Sequence, residues 1–141
     1  MRLSQNFILQ ELVHPDIYKK IGERSADFLH PELVVTLQKI RDDFGAITVN
    51  NWHSGGGFVD SGLRMPNGKV GAALSSHRFG VAADLKFDDH DPMDVQAHII
   101  IRPDDYPAIT RMEDARDTRH PTPWLHIGVG KRQGSIKVFR P

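Results

Sequence analysis

The chain has 141 residues and no cysteine, with 18 Lys plus Arg balanced by 18 Asp plus Glu. That length fits one domain able to bury a core without covalent staples, and the absence of cysteine excludes disulfides and thiolate metal sites. A formal net charge of zero gives no overall field toward nucleic acid, an anionic membrane or an acidic partner, while eight histidines supply ample imidazole for metal binding.

In chain order, Met1 to Asp16 lacks the basic start and unbroken apolar run of a secretory signal, and no segment is long enough to span a bilayer. The expectation is cytoplasmic synthesis. Ser4 is a possible cap for a short helix carrying Phe7, Ile8 and Leu12, so residues 1–30 are read as an N-terminal brace docked on a core formed by residues 31–141. The clearest helix begins at Pro31-Glu32, carries Leu33, Leu37, Ile40 and Phe44 on one stripe, and stops at Gly45. Strands follow at Ile47 to Asn51 and Phe58 to Arg64, separated by the flexible loop Ser54-Gly55-Gly56-Gly57. That loop is no phosphate cradle, because neither a lysine nor a helix start succeeds it.

From Gly80 to Phe87, alternation puts Val81, Ala83, Leu85 and Phe87 on the core face and Ala82, Asp84 and Lys86 on the other. Asp91 and Pro92 open a helix through Val95 and Ile99 that Pro103 ends. Ile109 to Glu113 and Trp124 to Val129 read as an antiparallel pair, with Ile136 to Phe139 as a final edge strand. The fold class is therefore α+β: a small, mainly antiparallel sheet with helices on one face, as a single domain; the expected state is a monomer.

The chemistry concentrates in Ser75-Ser76-His77-Arg78-Phe79-Gly80-Val81-Ala82-Ala83-Asp84. An imidazole precedes a strand whose outward face carries a carboxylate, with only glycine and alanine between them on that face. Hydrolytic zinc takes three His or carboxylate ligands and leaves a fourth position open, so the pair needs one more imidazole. His126, mid-strand between Trp124 and Gly128 on its own face, is the best candidate. His14, His30, His90 and His98 read as surface or capping residues, and His53 as part of a flexible rim.

The spacing Ser-x-His-x-x-Gly-x-Ala-x-Asp, followed at a distance by Trp-x-His, resembles the zinc D-alanyl-D-alanine carboxypeptidase and L-alanyl-D-glutamate endopeptidase family, which has the hedgehog-type fold. Phage endolysins and vancomycin-resistance dipeptidases belong to it. The five fixed positions of the first signature arise by chance in a chain this long roughly once in ten thousand, from average residue frequencies. The resemblance covers Leu33 to Val129 and implies a Zn2+ cofactor held by His77, Asp84 and His126. It also implies a peptidoglycan stem peptide as substrate, and action at the bacterial cell wall after phage-mediated release or within a phage particle. Ser61-Gly62-Leu63-Arg64 looks like the family's Ser-Gly-Tyr-Arg stretch, which makes Arg64 an active-site arginine that stabilises an oxyanion or grips a substrate carboxylate.

Many family members carry an acid three residues before the last histidine ligand, where this chain has Pro123. If the two strands around the 114–123 loop pair, Glu113 ends opposite Pro123 or Trp124 and becomes the first choice for general base. His120 and Asp117, in the connecting loop, are the alternatives. Glu113 could equally be a strand-end carboxylate paired with Arg111 or Arg116. The proline also leaves open a non-catalytic zinc-binding module used for recognition or structural attachment.

Overall fold

The structure is a computed structural model that describes residues 1–141. It is α+β, with three α-helices and a five-stranded mixed sheet. The helices are α1 (Pro15–Ile21), α2 (Pro31–Phe44) and α3 (Pro92–Ile101); the strands are β1 (Ile47–Thr48), β2 (Ala82–Phe87), β3 (Ile109–Glu113), β4 (Leu125–Val129) and β5 (Lys137–Phe139). The sheet order is β1-β2-β4-β3-β5, antiparallel except that β5 runs parallel to β3. β4 finishes where β3 begins, so the return after Val129 brings the chain up the free edge of β3 in the same direction. No helix is long and apolar enough to cross a membrane.

Helices α1 and α2 start alike. His14-Pro15-Asp16 and His30-Pro31-Glu32 each place proline where its missing N–H is harmless, and each histidine Nδ1 accepts the backbone N–H two residues on, at 3.1 Å. The capping expected of these histidines is thus observed. Helix α2 buries Leu33, Leu37 and Ile40 as its stripe requires, and α3 is capped by Asp91, whose Oδ1 accepts from Met93 N. Both helices pack on the sheet face carrying Ala83, Leu85, Leu125 and Ile127.

Four expectations are revised by the structure. Ser4 does not cap a helix: its hydroxyl donates to Gln38 Oε1 on α2, and Leu9–Glu11 is a 3-10 turn. Phe7, Leu9, Leu12, Val13 and Ile17 enter the same apolar cluster as α2 and the sheet, so residues 1–30 build the core as well as bracing it. Strand β1 stops at Thr48 because Asn50 is drawn to the N-terminal segment: its N–H reaches Glu11 O, and its side chain joins Val13 O to Ser61 N. Phe58 to Arg64 is not a strand. Its backbone bonds diverge to Asn50, Leu12 and His77, and at Gly62 a Cβ would stand 2.3 Å from Leu12 O, so two backbones meet there that only glycine permits.

The core also closes through one polar contact. Tyr106, 1 % exposed, donates its hydroxyl to Asp43 Oδ2 at 2.7 Å, and Lys39 approaches the same carboxylate at 2.9 Å. Burial alone would raise the Asp43 carboxyl, but these two partners outweigh it and hold it below its ordinary value. A depressed carboxylate contributes stability above its unfolded-state pKa and loses it as pH falls through the folded one. Tyr106→Phe is therefore expected to cost about 1 kcal/mol near neutral pH, after allowance for the half-exposed lysine, and less in acid. Urea denaturation at two pH values measures this.

Candidate metal centre

Each residue of the 75–84 signature has a local reason to be there. Ser75 caps the 3-10 turn Ser76–Phe79 by accepting His77 N–H on its hydroxyl, which aims His77 inward. Gly80 ends the turn at φ +70, and a Cβ there would lie 1.8 Å from Phe28 O. Gly80→Ala is accordingly expected to destabilise the protein by about 2–4 kcal/mol and to displace His77, seen as an earlier denaturation midpoint together with weaker metal binding. Ala82, paired with Gly128 across the sheet, keeps the face beside the cluster low, and Asp84 follows directly opposite His126.

Three side chains from separate elements converge. His77 Nε2 lies 3.2 Å from both His126 Nδ1 and Asp84 Oδ1, and His126 Nδ1 lies 2.9 Å from Asp84 Oδ1. A tetrahedral ion with nitrogen and oxygen bonds near 2.0–2.1 Å separates its ligands by about 3.3 Å, so this triangle fits a small divalent cation with little adjustment. The His77 tautomer agrees. His77 Nδ1 lies 3.0 Å from Gly62 O and must donate to it, leaving the Nε2 lone pair toward the cluster. His77 is 2 % and His126 7 % exposed, so both rings are fixed by packing. Burial would raise the Asp84 carboxyl, yet the two imidazoles beside it overcome that and keep it well below the usual carboxylate range. His77, Asp84 and His126 form a group that could hold a metal ion.

The cluster opens into a cavity of about 410 Å³ whose walls include Arg64, Glu113 and Trp124. Strand pairing explains Glu113. A bulge between Ile109 and Arg111 shifts the register, Met112 faces Ile127, and Glu113 comes level with His126 itself instead of Pro123 or Trp124. Trp124 is withheld from the ladder because its N–H goes to Thr118 O. The Glu113 carboxylate has no hydrogen-bond or ion-pair partner; Arg116 binds Asp114 instead, and Arg111 stacks on Phe139. Burial, with Asp84 and Asp117 nearby, raises its pKa against the opposing pull of His126.

Arg64 arrives at the cluster with its guanidinium engaged: Nε donates to Asp60 O at 2.7 Å and Nη2 lies 3.4 Å from Asp84 Oδ2. It steadies the oxygen of Asp84 that is not turned to the histidines. The alternative bases do not converge. Asp117 is bound by Arg140 at 2.6 Å, and His120 is exposed and does not line the cavity. Its neighbour Arg119 is clamped in two-point fashion on Asp91 at the start of α3, while Thr118 and Trp124 close the loop behind it. Those anchors hold the 118–124 loop with His120 facing solvent, away from the cavity.

Lys86 was legible only in part. Alternation puts it on the Asp84 face, but only the fold shows it 9 % exposed beneath that residue, with its ammonium donating to Ser61 Oγ and Val49 O and lying over the Phe58 ring. Burial pushes its pKa down to about 8 against the pull of Asp84. Because Ser61 O in turn accepts Asp84 N–H at 2.8 Å, Lys86 ties the 58–64 segment to the strand that carries the carboxylate. Phe139, whose ring packs edge-on to His126 at 5.8 Å, comes from the last strand and has no sequence signal. No known protein family, curated protein or solved structure matches the chain, and the character of the site follows from its own residues.

Proposed function

We propose that the protein is a zinc-dependent peptidase acting on peptidoglycan stem peptides, a relative of the zinc D-alanyl-D-alanine carboxypeptidases and L-alanyl-D-glutamate endopeptidases with their hedgehog-type fold. The observation that carries this is the meeting of His77 Nε2, Asp84 Oδ1 and His126 Nδ1 within 3.2 Å of one another, with the unpaired Glu113 on the same cavity wall. Two imidazoles and a carboxylate are the ligand set of hydrolytic zinc, and three ligands leave a coordination position free. The stem-peptide substrate rests on the signature that runs from Ser75 to Asp84.

When bound, zinc supplies Lewis acidity, polarising a scissile carbonyl and acidifying water. The chain's residues supply the remainder. Glu113, kept basic by partial burial, takes a proton from the attacking water and returns it to the leaving amine. Gly62 O fixes the orientation of His77, and Arg64 fixes Asp84, so neither ligand needs to reorganise during reaction. Trp124 gives the cavity an aromatic wall for the substrate's backbone.

A zymogram on purified cell wall tests the reading. Clearing that stops with chelator and returns with zinc supports it. Zinc binding without clearing favours the non-catalytic module instead, for which Pro123 in place of an acid is the motive.

A further inference from the structure

We infer that Arg111 is a specificity-determining residue of this site: it grips a carboxylate on the substrate, on the Glu113 side of the ligand cluster. The inference rests on the hydrolase reading for its setting and on independent geometry for its content. Arg111 pairs with Gly128 on β4 and Lys137 on β5, which puts it on the same outward sheet face as Glu113 and Phe139. It lines the cavity that holds the three ligands. Its stem lies against Gly128, where a Cβ would stand 3.1 Å from Arg111 Cγ, and its guanidinium carbon lies 4.2 Å above the Phe139 ring centre.

Stacking of this kind orients the guanidinium without using any N–H, so its fork stays available for a planar anion. No side-chain hydrogen bond or ion pair engages those donors, although Glu113 is two residues away on the same face. Arg116, Arg119, Arg132 and Arg140, which follow in the chain, each have an aspartate partner. The other cavity arginine, Arg64, is committed to Asp60 and Asp84. Arg111 is thus the cavity's arginine without an anion, held in place and facing the space a substrate must enter. Lys137 beside it adds to the positive potential, and a carboxylate is the peptide group that answers it.

The test uses the full zinc-loaded chain and two probes, N-acetylalanine and N-acetylalaninamide, in D and L forms, with binding followed by NMR titration. Wild type is expected to bind the acid at least about tenfold tighter than the amide. Arg111→Gln should bring the acid down to the affinity of the amide while leaving amide and zinc affinities unchanged, and Arg111→Lys should recover only part of the preference, since an ammonium cannot present two parallel donors. A preference that survives in Arg111→Gln assigns the carboxylate to the ion or to Arg64 and overturns the inference, as does a wild type that binds both probes equally. Turnover of wall fragments is measured separately. An Arg111-dependent preference without turnover removes the hydrolase reading and keeps the anion site; turnover without that dependence does the reverse.

Discussion

Replacing His126 with alanine is expected to weaken zinc binding by more than about 100-fold, because it removes one of three ligands where loss of an outer-shell partner alone typically costs 10–100-fold. The geometry leaves no substitute. His120, another imidazole on the 114–124 stretch leading into β4, is exposed and held away by the Arg119–Asp91 and Thr118–Trp124 contacts. Glu113 is level with His126 across the sheet but makes no contact with Asp84 or His77 within ion-pair distance. Competition against a chromophoric chelator reads the affinity, and thermal unfolding gives a second measure. Zinc at a hundred times its dissociation constant should stabilise wild type by about 2.7 kcal/mol and the variant by almost nothing at the same concentration. Equal zinc affinity in the two proteins would show that the ion, if it binds, binds somewhere else.

Glu113→Gln is expected to lower kcat by about 10²–10⁴ while leaving zinc affinity near wild type, which is the range that a positioned general base contributes. The substitution keeps the shape of the side chain and removes only its ability to accept a proton. An acid limb of the rate profile should belong to Glu113, with activity falling as the pH drops and the carboxylate is protonated. In the glutamine variant that limb should vanish. Full activity in Glu113→Gln, with loss in Asp117→Asn or His120→Ala, would move the base into the loop and require the loop to rearrange, since Asp117 is bound by Arg140 in the structure.

The elements that followed from the residues were those whose signals are local. Helices α2 and α3, strand β2 with its two faces, and the β3–β4 pair all stand close to where periodicity and capping put them. Helix α1 carries the same His-Pro-acid start as α2, a local signal of the same kind. Elements governed by distant partners were not legible: Phe58 to Arg64 has strand-like residues, but its backbone groups are claimed by four separate parts of the chain, a competition no local pattern encodes.

The same division runs through the candidate centre. Sequence singled out the three side chains that meet, because a fixed spacing of small residues between His77 and Asp84 and the alternation around His126 are properties of consecutive residues. Tertiary structure decided which nitrogen of each imidazole faces the cluster, that a bulge brings Glu113 level with His126 while the loop anchors keep His120 outside, and that Arg111 rests unpaired on a ring from the last strand. Those are matters of register and packing between segments far apart in the chain, set by the whole fold at once.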